Sequence, residues 1–339
     1  MKNQSGDGQI FDLGDVTLQD GVLPSARLVY KTHGTLNAAK SNVILFPTWY
    51  GGQHPDVEWV IGPDFALDPR RYFIIAVNIV GNGLSSSPSN QPLPFDRIRF
   101  PRVTILDNVL MQRRLLQERF GIDHLLLVVG RSMGAQIAYQ WASYFPEMVE
   151  RVLPLCGSAR TAPHNYVFLQ TVKMALTSDP AWRGGEYTAM PIDGLNRMRL
   201  IFDSWGLSQS FYRRGLPRAL GFASLDDFLR REVPALLRDA NDYLAQVRTW
   251  ERADISDNEV YKKDFSAALR AIKARAIVMP SRTDLYFPPE DSEIEVAGMT
   301  NAELRVIPSV WGHRAGSPGS DPVDIRFFDQ AIRDLLAWT

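Results

Sequence analysis

A short apolar run, LLLVVG (125–130), stops at Gly130; one serine then stands between two glycines, and a helical pattern, AQIAYQWASYF, begins. Gly130, Arg131, Ser132, Met133 and Gly134 fit Gly-x-Ser-x-Gly. In a strand-to-helix turn this sharp, only small residues fit on either side of the serine. The turn exposes the hydroxyl above the sheet and points the free N–H groups of the new helix at it. Short Gly/Ser patterns also arise by chance in such turns, so the rest of the chain must decide whether Ser132 is a nucleophile.

Other apolar runs repeat the strand half of this unit: NVILFP (42–47), YFIIAVNIV (72–80), RVLPLC (151–156), RAIVMP (275–280) and ELRVIP (303–308). Several are apolar at consecutive positions, which suits strands covered on both faces, as in a parallel sheet. Between them, TILDNVLMQRRLLQERFG (104–121) places Ile105, Val109, Leu110, Leu116 and Phe120 on roughly one face and ends in glycine, as a helix should. The closing DIRFFDQAIRDLLAWT also reads as a helix, and VTLQDG and ARLVYKTHG near the N-terminus read as antiparallel hairpin strands. This alternation predicts an α/β fold with a mostly parallel central sheet and helices on both faces.

From 164 to 265 the pattern is helical with almost no strand signal, and strands resume at 275. An all-helical block between strands of one sheet reads as an inserted cap. The expected division is therefore a core of 1–163 and 266–339 with a lid of 164–265.

Composition narrows the function classes. The 339 residues carry 37 basic and 38 acidic side chains with no basic block or tail, which argues against nucleic acid as a partner. The N-terminal MKNQSGDGQIFDLGDV has no apolar segment of the secretory kind, and no apolar run is long enough to span a bilayer, so a cytoplasmic protein without membrane contact is expected. Cys156 is the single cysteine and reads as a buried structural thiol. The five histidines, at 33, 54, 124, 164 and 313, show no metal-binding spacing, so no metal is expected; His54 reads as a loop histidine.

A serine hydroxyl needs a base to take its proton, and the base needs an acid to orient it. Asp284, in RAIVMPSRTDLYFPPE, and His313, in ELRVIPSVWGHRAG, each stand just past a strand end. Alone, Asp284 could cap the turn before Pro288, and His313 could be a surface-loop residue. Together, in the order Ser132, Asp284, His313 and each after a strand, they read as a triad converging on one sheet edge. The oxyanion hole needs backbone donors. The Met133 amide, just after the serine, is one candidate; the other is Trp49 or Tyr50 in FPTWYGGQH (46–54).

These residues, with VYKTHGTLNAAKSNVILFP, WVIGPDFALDPRRYFIIAVNIVGNG, NDYLAQVRTWERAD, SRTDLYFPPE and WGHRAG, resemble the homoserine O-acetyltransferase-like branch of the α/β-hydrolase superfamily over nearly the whole chain. The resemblance implies an α/β-hydrolase core with a helical cap, a triad of Ser132, Asp284 and His313, and an acyl-serine intermediate. It also supports the amides of Trp49 and Met133 as the oxyanion hole and makes a homodimer through the cap plausible. It implies no bound cofactor; in the transferases acetyl-CoA is a substrate.

Two departures bear on the acceptor. The transferases read GGSMGG at the nucleophile, where this chain has Arg131 before Ser132. They carry an aspartate after the catalytic histidine to receive the amino group of homoserine, where this chain has Arg314. Replacing attraction by repulsion there should cost homoserine binding on the order of several kcal/mol. The expected activity is thus hydrolysis of a small or medium carboxylic ester. The alternative is transfer of an acyl group from acyl-CoA to an acceptor other than homoserine, the two differing in whether the cap excludes water. A non-catalytic scaffold would call for a broken triad. Arg314, Arg131 and Tyr50 are the candidate substrate-binding residues, and the two arginines suggest an anionic group on the substrate. The alternative for both arginines is a structural ion pair or a solvent-facing position.

Overall fold

The computed structural model describes residues 7–231 and 238–338. Eight strands form one sheet in the order β1-β2-β4-β3-β5-β6-β7-β8. β1 (Gln9–Leu18) and β2 (Gly21–His33) make the N-terminal hairpin, and β2 pairs antiparallel with β4 (Phe73–Val77). From there the sheet is parallel through β3 (Val43–Pro47), β5 (Leu127–Arg131), β6 (Arg151–Leu155), β7 (Arg275–Val278) and β8 (Ala302–Leu304).

Successive side chains of a strand point to opposite faces, and here both faces are covered. Val43 and Leu45 enter one core cluster with Val128 and Val152, whereas Ile44 and Phe46 enter the other with Leu127 and Val129. Helix α1 (Ile105–Arg114) and helix α2 (Met133–Tyr144) cover the first face through Val109 and Ile137. The C-terminal helix (Pro322–Ala337) covers the second with Phe328, Ala331, Ile332 and Leu335, one apolar stripe at helical spacing. Full burial of the phenylalanine, isoleucine and leucine among these stabilises by about 1.5–3 kcal/mol each.

Local chemistry sets the ends of these elements. Thr104 caps α1 by accepting the Asp107 N–H, and Asp107 accepts the Thr104 N–H in return. The helical run expected to Gly121 does continue, but through one π-helical turn, Leu115–Arg119, before Gly121 ends it at φ +62°. β8 is shorter than ELRVIP suggests. Its pairing with the β7 side resumes only as an isolated bridge, Ser281 to Ile307, and the intervening Pro280 has no N–H to give the ladder.

Between β6 and β7 lie α3 (Pro163–Thr177), α4 (Ile192–Gly206), the short α5 (Gln209–Arg213), α6 (Leu216–Ala219) and α7 (Leu225–Arg230), then α8 (Ala240–Trp250) and α9 (Phe265–Arg270). Part of the helical pattern read across SLDDFLRREVPALLRDANDYL falls on 232–237, outside the described residues. α10 (Pro289–Ala297) joins β7 to β8, and the C-terminal helix is α11.

Candidate active site

Ser132 sits between β5 and α2 at φ 55°, ψ −123°, a backbone conformation that costs a residue with a side chain about 1–3 kcal/mol. Two close approaches hold it there. A Cβ on Gly130 would stand 2.0 Å from the carbonyl oxygen of Gly134, so the strand can meet the helix only without a side chain. A Cβ on Gly134 would stand 2.7 Å from the carbonyl oxygen of Pro47, at the end of β3. The glycines of the motif therefore seat the first turn of α2 against both neighbouring strands.

Asp284 and His313 come to this point from the loops after β7 and β8. Asp284 is buried, and its Oδ1 accepts the N–H groups of Tyr286 (2.8 Å) and Phe287 (3.2 Å). That turn leaves Oδ2 facing His313 Nδ1 at 2.8 Å. On the other edge of the ring, His313 Nε2 lies 3.0 Å from Ser132 Oγ. The imidazole is buried against the rings of Tyr286 and Phe287, at 4.5 and 5.6 Å between centroids. Burial pulls its pKa below the ordinary histidine value; Asp284 opposes this, while Arg131 and Arg314 add to it. An imidazole that is neutral near pH 7 and bonded to a hydroxyl can accept that hydroxyl's proton.

The loop after β3 approaches the same point. Thr48 N–H bonds to Val77 O at 2.9 Å, Asn82 Nδ2 donates to Gly52 O at 3.0 Å, and His54 N–H bonds to Asn78 Oδ1 at 2.9 Å. His54 is thus no free loop histidine: it is buried in a short 3-10 turn, its ring between Asn78 and Asp7. Among the described residues, the amides of Trp49 and Met133 make no hydrogen bond. The Gly51 N–H bonds to Gln246 Oε1, on α8, at 2.7 Å. Tyr50 stacks on Phe202 at 5.2 Å, and burial holds its phenol well above the usual tyrosine pKa.

These groups open on a cavity of about 320 Å³ lined by Trp49, Tyr50, Arg131, Ser132, His313 and Arg314, together with residues of α4 and α8. Every candidate residue from the sequence except Asp284 and Met133 lines it, and those two lie directly behind His313 and Ser132. Arg131 is 6% exposed; one of its terminal nitrogens donates to His313 O at 2.6 Å, and its guanidinium lies 5.4 Å from the Trp49 ring centre. Arg314 is exposed. Cys156, just past β6, is fully buried, and burial pushes its thiol pKa up, away from reactivity.

The sequence profile of the α/β hydrolase fold matches residues 42–196. The ethyl acetate hydrolase of Pseudomonas veronii is 38% identical over 340 residues, covering 98% of this chain and 96% of the relative. A homoserine O-acetyltransferase of Thermobifida fusca is 32% identical over 94% of this chain and 90% of its own. The solved structure of an acetylester hydrolase from Corynebacterium glutamicum superposes with a TM-score of 0.94 at 38% identity, covering 98% of this chain and 97% of that one. The chain belongs to the α/β hydrolases. It is an enzyme of the branch that holds both esterases and homoserine O-acetyltransferases.

The cavity of this α/β hydrolase is also lined by residues that the sequence did not single out. On α4, Arg199 and Asp203 pair at 3.2 Å one helical turn apart, and Arg231 reaches the same carboxylate at 2.7 Å. The i,i+4 spacing was a visible signal for the first pair; the third member comes from beyond α7 and had none. Of the aromatics in the helical segment, Phe202 lines the cavity, whereas Phe211 packs on Trp311 and Phe228 beneath it. The C-terminal end of α4 and the residues just after it are pinned to the turns bearing Asp284 and His313: Ser208 Oγ donates to Val310 O, Tyr286 OH donates to Phe202 O, and a Cβ on Gly312 would stand 2.7 Å from Gly206 O. No helix among the described residues is long and apolar enough to cross a membrane.

Proposed function

We propose that the protein hydrolyses carboxylic esters of small or medium size through an acyl-serine intermediate. The observation that carries this reading is the unbroken line of hydrogen bonds from Ser132 Oγ through His313 to Asp284, at 3.0 and 2.8 Å, opening on a cavity. Ser132 Oγ attacks the ester carbonyl as His313 Nε2 takes its proton. Asp284 holds the ring by Nδ1 and stabilises the imidazolium. The amides of Trp49 and Met133, which make no hydrogen bond among the described residues, receive the oxyanion. His313 then gives its proton to the departing alkoxide oxygen, releasing the alcohol and leaving the acyl group on Ser132. Water attacks next, its proton passes to His313 and back to Ser132 Oγ, and the acid leaves.

Residues 164–265 serve in this reading as a lid that supplies the acyl and alcohol walls through α4 and α8. The charge beside the proposed base favours water over homoserine, because Arg314 lines the cavity and repels an ammonium. The names of the ethyl acetate hydrolase and the acetylester hydrolase support the same chemistry.

The test is turnover of p-nitrophenyl acetate, and separately of acetyl-CoA, each with and without homoserine, with Ser132→Ala as control. Steady ester hydrolysis that ignores homoserine and is abolished in Ser132→Ala is the expected result. An acyl-enzyme formed from acetyl-CoA, stable in water and cleared only by homoserine, would overturn the reading.

A further inference from the structure

The cavity that holds Ser132 is lined by four arginines, Arg131, Arg199, Arg231 and Arg314, against two aspartates, Asp56 and Asp203. The arginines are not equivalent. Arg199 and Arg231 converge on Asp203, at 3.2 and 2.7 Å, so a carboxylate of the chain already answers them. Asp56 is turned to Arg238, at 3.6 Å.

Arg131 has no such partner. Its guanidinium is buried, one terminal nitrogen reaches the His313 carbonyl, and Nε is buried without a hydrogen bond among the described residues. Its near carboxylate, Asp284, is occupied by His313 and by two backbone N–H groups. Arg314 likewise makes no ion pair among the described residues. A buried guanidinium is costly unless it is paired, and a carbonyl and the face of Trp49 offset only part of that cost. Arg131, buried with its Nε unpaired, and Arg314, exposed at the mouth of the same cavity and in no ion pair among the described residues, together make a cationic lining that fits a carboxylate.

We infer, on the ester-hydrolase reading above, that the natural substrate carries a carboxylate of its own, held by Arg131 and Arg314. Because Arg131, Arg314 and Ser132 line one cavity of about 320 Å³, the anion and the scissile carbonyl belong to one short molecule. The substrate is therefore either the half-ester of a short dicarboxylic acid or the acyl ester of a short hydroxy acid. These differ in whether the carboxylate lies on the acyl or the alcohol side.

Matched pairs separate the two. On the acyl side, monoethyl succinate is compared with diethyl succinate; on the alcohol side, acetoxyacetate is compared with ethyl acetate. One anionic ester should exceed its neutral partner in kcat/KM by about tenfold at low salt, the advantage shrinking as salt rises. Arg314→Gln and Arg131→Gln should each lower that anionic-to-neutral ratio about tenfold, whatever they do to the neutral ester. Calorimetry with succinate reads the subsite independently of turnover and should show binding that weakens in Arg314→Gln. Neutral esters preferred in both pairs, or a ratio and a succinate affinity indifferent to Arg314, would overturn the inference. Absence of any ester turnover, p-nitrophenyl acetate included, would instead overturn the ester-hydrolase reading.

Discussion

The side-chain carbonyl of Gln246 accepts the backbone N–H of Gly51 at 2.7 Å, which ties α8 to the loop carrying Trp49 and Tyr50. Gln246 is buried, and its methylene stem lies 3.3 Å from where a Cβ would stand on Gly81, in the neighbouring loop. A helix from the segment between β6 and β7 thus braces a loop of the sheet edge.

If the Trp49 amide stabilises the oxyanion, this brace sets its aim. Gln246→Ala leaves the Gly51 N–H without its acceptor and frees the loop. Misplacement of about 1 Å can cost up to about a hundredfold in rate, so the variant should lose ten- to a hundredfold in kcat with a smaller change in KM. Stopped-time assays with a chromogenic ester, beside thermal melts showing a folded protein, check this. Gln246→Glu tests the geometry separately, since it keeps an acceptor oxygen in the same place.

The acid limb of the pH–rate profile should lie below the ordinary histidine value of about 6.5. Burial is the main cause of the lowered His313 pKa; Asp284 raises it, and Arg131 and Arg314 lower it further. The base acts when neutral, so a lowered pKa extends activity to more acid pH. Arg314→Glu replaces a repelled cation by an attracting anion and should move the limb upward. A kcat/KM profile of wild type and variant on a neutral ester measures the shift. A limb that moved down, or stayed in place, would break the electrostatic link between the two neighbours.

Glu295 lies on α10 with both oxygens engaged: Tyr139 OH donates to Oε2 at 2.7 Å and Ala159 N–H to Oε1 at 2.6 Å. Burial pushes its pKa up to about 8. The folded protein thus binds a proton there that the unfolded chain releases near pH 4.3. Its contribution to stability is fully present below that unfolded value and is lost as pH rises through about 8. Glu295→Gln keeps the shape and carries no titrating group, so it should be less sensitive than wild type between pH 5 and pH 8.5. Melting temperatures of both proteins at those two values give the comparison.

What could be read from the sequence, and what could not, divides along physical lines. The strands near the centre of the sheet are short runs that must be apolar on both faces, and Ser132, Asp284 and His313 come after β5, β7 and the edge strand β8, so order along the chain stood in for position in space. The constraint on Gly130 and Gly134 is equally local. Arg231 and Gln246 were invisible because their partners, Asp203 and Gly51, are distant in the chain, and helical periodicity says which residues share a face, not what that face meets. His54 was misread for the same reason: its burial depends on Asn78, from the loop after β4. The shortened β8 follows from Pro280, whose missing donor matters only once its neighbour is known.

The contact of Gly206 with Gly312 has a mechanical consequence. With no room for even one methyl between them, the end of α4 and the turn bearing His313 behave as one rigid piece. A swinging door hinged on α4 would pull the imbedded imidazole off the serine each time it opened. Any displacement of the end of α4 should therefore be felt at the bond between His313 and Ser132.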